Sequence, residues 1–462
     1  MKSFNTTTSL RLHQHTAVTK VAPSRIGALL MGMGTGKSRT AIELVHIRQH
    51  KIDKAVWYCP VSLKETVREE ILKHTDCSPA DICIFDGKIN ERQIPAASWY
   101  IVGIESMSNS TRVILTAHKL LMKDTMVILD ESSYCKSALA RRTQRITAFS
   151  RICRYRLVMT GTLLSNGVVD MYAQMTFLSP KILGYNSFYS FAANHLEYSE
   201  RYPDMIVRAH NLEYLAAKIE PYTYQVTKDE CLTLLPKQYR TREYELTMQQ
   251  RQLYDEAKQV VIDKIHQERL ERYDIFKLFT YLQQITSGFY RGQVFPHRRL
   301  QLLLETLEEI PADEKVIIWA KYRHDIRIIA EALNEKYGTD YAVTYYGNLN
   351  EKQRAASVRQ FRSQARIFLA TQSTGGYGLT LNEARYQIFY NNSFKWSERE
   401  QAEDRCHRMG QERQVIYYDI YCNGSIDGRI FRALAEKTDV ISNFEYEIER
   451  VKDGVKELIQ SL

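Results

Sequence analysis

A chain of 462 residues with 44% hydrophobic and 25% charged residues has the make-up of an ordinary globular protein of two to four domains with large buried cores. Its formal net charge of +9 favours a polyanionic partner without identifying one. Eight cysteines are scattered with no CxxC pair, which argues against a zinc ribbon, residues 1–16 lack the apolar core of a signal peptide, and no run approaches the ~18 apolar residues that span a membrane. A soluble, cytoplasmic, monomeric protein is expected.

Along the chain, short runs rich in valine, isoleucine and aromatics recur: AVWYC (55–59), WYIVGI (99–104), MVILD (126–130) and RLVMT (156–160). Each is bounded by polar or turn residues and predicts a buried strand. Between them lie amphipathic stretches, SRTAIELVHIRQ (38–49) and VSLKETVREEILKH (61–74), so strand and helix alternate as in a parallel sheet covered on both faces. From about residue 175 to 300 the strand signal fades into long helical patterns such as 248–285. A second strand series follows: KVIIWA (315–320), AVTYYG (342–347), RIFLAT (366–371), YQIFYN (386–391) and VIYYDIY (415–421). The expected organisation is a first α/β lobe over 1–175, a mainly helical insertion over 176–300, a second lobe over 301–440 and a C-terminal charged helix over 441–462.

Residues 27–44, GALLMGMGTGKSRTAIEL, place three glycines before Lys37 and Ser38, between an apolar run and a helix. Such a turn lets the backbone N–H groups of Gly34, Thr35 and Gly36 surround phosphates, with the lysine reaching the β and γ oxygens and the hydroxyl reaching Mg²⁺. Met31 stands where the strict pattern has glycine. At 126–137, MVILDESSYCKS ends a strand in two carboxylates at the sheet edge where open α/β folds bind ligands. Asp130 suits Mg²⁺, and Glu131 suits orienting and deprotonating a water. A glycine-rich GKS loop some ninety residues before a DE pair points to nucleoside triphosphate hydrolysis, and Thr160 and Thr162 in MTGTLLSN (159–166) suit a relay of the γ-phosphate state.

Later in the chain, QAEDRCHRMGQ (401–411) sets Asp404, Cys406 and His407 side by side, and also two arginines three positions apart. Adjacent Cys and His do not share a helix face, so a metal site is not the favoured reading. Gln401, Arg405 and Arg408 fall at i, i+4 and i+7, which on a helix projects all three from one face. An arginine delivered to a transferring phosphoryl group is worth roughly 10³ to 10⁵ in rate.

The order and content of these segments resemble the Swi/Snf-like DNA translocases of helicase superfamily two, in a compact bacterial, archaeal or viral form. The likeness rests on MGTGKS, DESS, TGTLLSN, STGGYGLTLNEA (373–384) and, above all, QAEDRCHRMGQ. It implies two tandem RecA-like lobes, ATP and Mg²⁺ as cofactors, and double-stranded DNA contacted along its backbone. It further implies that Gln14 in LHQHT recognises adenine, that Gly378 and Gln401 lie against nucleotide across a cleft between the lobes, and that Lys37, Glu131, Arg405 and Arg408 carry hydrolysis. Ser62 and Lys64, Asn348 and Arg354 in YYGNLNEKQR (345–354), and Thr374 with Gly375 are the expected DNA contacts. One departure is PYTYQVTKDECLTLLPK (221–237), where aromatics and Lys228 replace an arginine-rich stretch. The implied function is ATP-driven movement along duplex DNA. The alternatives are strand separation or fork remodelling by the same motor, and a non-hydrolysing scaffold gated by nucleotide.

Overall fold

The computed structural model describes every residue except 87, 162–167, 200–205, 267–270, 376–378 and 451–454. The chain divides into two compact units, one built from Met1–Ser199 and the chain leading to Thr233, the other running from Leu234 to Leu462. Each contains one large parallel sheet, so the expected α/β class with two parallel-sheet lobes is what the chain adopts.

In the first unit, β1 (Ile26–Met31), β2 (Lys54–Cys59), β3 (Ile82–Ile84), β4 (Trp99–Gly103), β5 (Thr125–Leu129) and β6 (Tyr155–Thr160) are followed by a hairpin of β7 (Leu196–Tyr198) and β8 (Ile206–Ala209), then by β9 (Thr223–Val226). The sheet order is β3-β4-β2-β5-β6-β1-β9, every pairing parallel. Strand alternation feeds two separate cores. Ala28, Val56, Tyr58, Val127 and Leu129 pack on one face, while Leu29, Met31, Trp57, Cys59, Met126 and Ile128 pack on the other. This two-sided burial is why these strands read as unbroken apolar runs.

The second unit contains β10 (Gln238–Tyr244), a short hairpin of β11 (Phe289–Tyr290) and β12 (Gln293–Val294), then β13 (Lys315–Ala320), β14 (Ala342–Tyr345), β15 (Ile367–Thr371), β16 (Ala384–Phe389) and β17 (Ile416–Cys422). Its sheet runs β10-β17-β16-β13-β15-β14, again all parallel. Val316, Ile318, Leu369 and Ile388 face one core and Ile317, Trp319, Phe368 and Phe389 the other.

The stretch 176–300, expected as one helical insertion, is shared between the units. Residues to Thr233 belong with the first and those from Leu234 with the second. It also carries strands, β9 and β10 among them, that join the two large sheets. The C-terminal segment forms two helices, Val440–Arg450 and Val455–Gln460. They share a core with helices Met248–His266, Arg272–Thr286 and Ile426–Ala435 of the same unit. The Tyr254 hydroxyl ties this core together, donating to the Leu462 carbonyl at 2.9 Å and accepting from the Ile426 amide at 2.6 Å.

Arg299 holds this helical core to the sheet. It is wholly buried, ion-paired with Asp427, and donates to Tyr244 Oη at 2.7 Å and Ser287 Oγ at 2.9 Å. Removing one partner of such a pair strands a desolvated charge. Asp427→Ala is therefore expected to cost about 3–5 kcal/mol of stability in denaturant titrations. A loss below ~1 kcal/mol, the range of an exposed pair, would show that the pair does not hold the core.

Candidate nucleotide site and arginine box

The phosphate loop leaves β1 at Met31 and enters the helix Lys37–Arg48. Gly34 and Gly36 have φ of 76° and 88°, the left-handed region that glycine enters without strain. At Gly36 a second constraint acts, because a Cβ there would lie 2.0 Å from Gln14 Nε2. Gln14 is buried on the helix Leu12–Val21 and donates to the carbonyls of Thr35 and Gly36 at 3.1 and 3.3 Å. His13 Nε2 donates to the same Thr35 carbonyl at 2.8 Å. Gln14 thus reaches the loop itself, and His13 is a loop contact that sequence reasoning missed. Its only signal was its place beside Gln14.

Lys37 Nζ donates to the Met31 carbonyl at 2.9 Å and to that of Gly32 at 3.4 Å. Gly161, after β6, lies so close that a Cβ there would be 3.8 Å from Lys37 Nζ. Ser38, half-buried, opens the helix beside it. Thr162 falls outside the described residues, while Thr160 is buried at the end of β6.

β5 delivers the carboxylates. Asp130 is buried, accepting from Trp57 Nε1 at 3.2 Å and from the Glu131 amide at 2.9 Å. Burial, then the neighbouring Glu131, push its pKa up to about 7, with the Lys37 amine pulling the other way. Glu131 sits at φ 45°, ψ 53°, unusual for a residue with a side chain, and half-exposed. Behind the pair, the buried Ser132 hydroxyl donates to Gln174, whose amide donates to the Asp170 carbonyl at 3.1 Å. Lys136 lies 3.8 Å from Asp170 Oδ2. Asp170 and Gln174 were absent from the sequence reading, and only their place just after TGTLLSN marks them. A buried acid whose ionised form is disfavoured beside a phosphate-type loop fits a divalent cation, which Asp130 and the Ser38 hydroxyl would hold.

Two of the expected DNA contacts also have partners or packing inside the protein. Lys64 does not face outward: it is buried and its amine donates to the Phe85 carbonyl at 3.1 Å, leaving half-exposed Ser62 as the accessible member of that pair. Gly375 is glycine for packing, since a Cβ there would come 2.8 Å from Trp319 and 2.9 Å from Ala370. In the second unit, exposed Asn348 sits in the loop after β14, and Arg354 Nη2 donates to the Gly347 carbonyl of that loop at 3.0 Å. Thr374 Oγ1 would lie 3.8 Å from a Cβ on Gly347, so these residues share one sheet edge.

The arginine box departs most from expectation. The helix Trp396–Glu403 stops before either arginine, and residues 404–410 form turns and bends, so Gln401, Arg405 and Arg408 do not lie on one helix face. Tertiary hydrogen bonds join the backbone ones that persist in the turn, from the Arg405 amide to the Ala402 carbonyl at 3.2 Å and from the His407 amide to that of Glu403 at 3.4 Å. Arg405 Nη1 and Arg408 Nη1 donate to the same Leu379 carbonyl, at 2.9 and 3.2 Å. The Leu381 amide donates to the Arg405 carbonyl at 3.1 Å, and Asn382 Nδ2 to that of Met409 at 2.9 Å. Gln411 donates to the carbonyls of Asn382 and Ala384, both at 3.1 Å. The two sequence motifs, 379–384 and 401–411, are therefore one structural piece. Gln401 is buried, and its backbone carbonyl accepts from Arg405 Nε at 2.8 Å. Gly378 falls outside the described residues. Cys406 is buried with Sγ 3.3 Å from the Leu381 carbonyl, and His407 Nε2 donates to the Leu235 carbonyl at 2.9 Å.

The sequence model of the SNF2-related domain matches residues 13–288, and that of the helicase conserved C-terminal domain matches 298–410. The chain belongs to the SNF2-related family. This SNF2-related protein is 23% identical over 348 residues to an ATP-dependent helicase of Mycoplasma pneumoniae, covering 72% of this chain and 32% of that one. It is 24% identical over 443 residues to the human DNA annealing helicase and endonuclease ZRANB3, covering 93% of this chain and 39% of that protein. The chain thus spans about a third of the length of the curated relatives it matches. Among solved structures, the Sulfolobus solfataricus SWI2/SNF2 ATPase core in complex with dsDNA aligns with a TM-score of 0.44 at 20% identity, over 99% of this chain and 98% of that one. No helix among the described residues of the SNF2-related chain is long and apolar enough to cross a membrane.

The raised Asp130 carboxyl has a stability consequence whose sign is fixed. A carboxyl whose folded pKa exceeds its unfolded value near 4 favours folding while protonated, and that advantage is lost as pH rises through about 7. Asp130→Asn, without nucleotide or divalent cation, is expected to raise stability at pH 8 by on the order of 2 kcal/mol and to change it little at pH 4. Denaturant melts at the two pH values measure this. Equal effects at both would mean that Asp130 is not the group disfavoured by burial.

Proposed function

We propose that this chain is an ATP-dependent translocase on double-stranded DNA, with hydrolysis driving movement along the sugar–phosphate backbone and remodelling of DNA or its protein complexes. The observation that carries the reading is the convergence of Lys37, Asp130, Glu131 and Gly161 on the carboxyl edge of one parallel sheet, behind a glycine loop held open in the left-handed region. Membership of the SNF2-related family supports it, as do relatives named as ATP-dependent and DNA annealing helicases.

In this reading, backbone amides of Gly34, Thr35 and Gly36 and the Lys37 amine bind the nucleotide phosphates. Gln14, already hydrogen-bonded to the loop, reads the base and reports loop occupancy. Mg²⁺, held by Asp130 and Ser38, supplies charge neutralisation on the phosphates. Glu131 takes the proton of the attacking water, and its strained, half-exposed position supports that role. Arg405 and Arg408 stabilise charge developing on the transferred phosphoryl group, exchanging the Leu379 carbonyl for phosphate oxygens, and Gln401 and Gly378 bind nucleotide. Ser62, Asn348, Arg354 and Thr374 contact the DNA backbone, so binding is sequence-independent and weakens with salt.

Phosphate release measured with and without duplex DNA tests the proposal. Duplex is expected to stimulate hydrolysis, Lys37→Ala to abolish binding of a fluorescent ATP analogue, and Glu131→Gln to lower kcat by roughly 10²- to 10⁴-fold while ATP still binds. Hydrolysis that no DNA stimulates would sink the translocase reading, and undiminished turnover by Glu131→Gln would sink the assignment of the base.

A further inference from the structure

The turn that carries the two arginines is held from two sides. One side is the 379–384 segment described above. The other is residues 235–239, to which the sequence reading assigned no role and which begin two residues after the boundary between the compact units at Thr233. Lys237 Nζ donates to Glu403 Oε2 at 2.8 Å and to Asp404 Oδ1 at 3.3 Å. The Tyr239 hydroxyl donates to the same Glu403 oxygen at 2.8 Å, and its ring stacks on Tyr417 with centroids 5.1 Å apart. The Leu235 carbonyl accepts from His407, and the Pro236 carbonyl accepts from Gln414 Nε2 at 3.2 Å. The Gln238 amide, opening β10, donates to the Val415 carbonyl at 3.0 Å.

These contacts cluster where the helix Trp396–Glu403 gives way to the turns and bends of 404–410. Glu403 is the last helical residue, is buried, and is anchored from behind by Arg399, which also pairs with Asp419. Lys237 bridges Glu403 to Asp404, the first residue beyond the helix. His407 stands between the two arginines and is tied to the residue two before Lys237. A partly buried lysine between two buried carboxylates is not a screened surface pair, so its loss is felt.

We propose that Lys237, with Tyr239 and the Leu235 carbonyl, is a positioning clamp that fixes the non-helical turn on which Arg405 and Arg408 stand. Arginine placement thereby depends on the segment by which the chain enters the second unit. The clamp touches neither nucleotide nor reacting atoms and works only through the arginines. Its effect on turnover rests on the ATPase reading above, whereas its effect on the turn does not.

The test uses the full chain with duplex DNA. Lys237→Met is expected to lower kcat about 10- to 100-fold, the scale of a misplacement near 1 Å, with KM for ATP changed less than about twofold. Lys237→Arg should restore most of the loss. If the clamp acts through Arg405, the double variant Lys237→Met with Arg405→Ala is no slower than Arg405→Ala alone, because groups acting as a unit are not additive. Losses that multiply, or a rise in KM at unchanged kcat, would overturn the proposal. Amide hydrogen exchange supplies a readout independent of turnover: Lys237→Met should speed exchange across 404–411 and leave the helix Lys37–Arg48 unchanged. Unchanged exchange at 404–411 overturns the clamp even if activity falls. If the wild-type chain hydrolyses no ATP, the ATPase reading fails and exchange alone decides the clamp. Should Lys237→Met not fold, Tyr239→Phe removes only the hydroxyl bond to Glu403 and is expected to produce the same pattern at a few-fold scale.

Discussion

Covering a parallel sheet on both faces confines polar chemistry to its edges, and the candidate nucleotide site of the first unit follows from that constraint. β1, β5 and β6 are buried along nearly their whole length, so each can present reactive groups only where it ends. The phosphate loop, Asp130 with Glu131, and Gly161 are those ends. β14 and β15 repeat the arrangement in the second unit, ending in the loop with Asn348 and in the segment with Thr374. The glycines at these ends have different physical causes. Gly36 is required by both backbone conformation and Gln14, whereas Gly375 is required by the close approach of Trp319 and Ala370.

The second unit pays for its shape in buried charge. Arg299 with Asp427, and Arg399 with Asp419 and Glu403, are removed from water almost entirely. Burial alone would raise Glu403, yet Arg399 and Lys237 outweigh it and hold the carboxyl down at about 2. Against a well-packed apolar alternative such networks contribute little net stability. Their contribution here is geometric: a guanidinium with fixed partners on a strand, a helix and a loop permits one register of those elements.

The large strands were legible because two-sided burial writes them as continuous apolar runs, and the phosphate loop because glycine spacing before a GKS is a backbone requirement visible in letters. The arginine box was legible as a group of residues but not as a conformation. Its spacing satisfies a helix, and what ends the helix at Glu403 is a set of contacts from 379–384 and 235–239, distant in sequence. Lys64 misled for a related reason. A lysine after a strand end is usually solvated, but the Phe85 carbonyl lay within reach of a long side chain and captured it. The division of 176–300 between two units was hidden because β9 and β10 are short or half-exposed edge strands without the apolar signature of the inner ones.

Cys406 and His407, the pair that suggested a metal, mark how the box is built. Cys406 is small and apolar enough to pack under the turn against the Leu381 carbonyl, and His407 supplies a ring N–H to a backbone carbonyl on the opposite side. A turn that has left the regular helical ladder relies on donors and acceptors aimed outward. The residues between the two arginines meet that need, while Arg405 Nη1 and Arg408 Nη1 both donate to the Leu379 carbonyl and Arg405 Nε donates to that of Gln401. A guanidinium that exchanges a neutral carbonyl acceptor for a charged oxygen trades a weaker hydrogen bond for a stronger one.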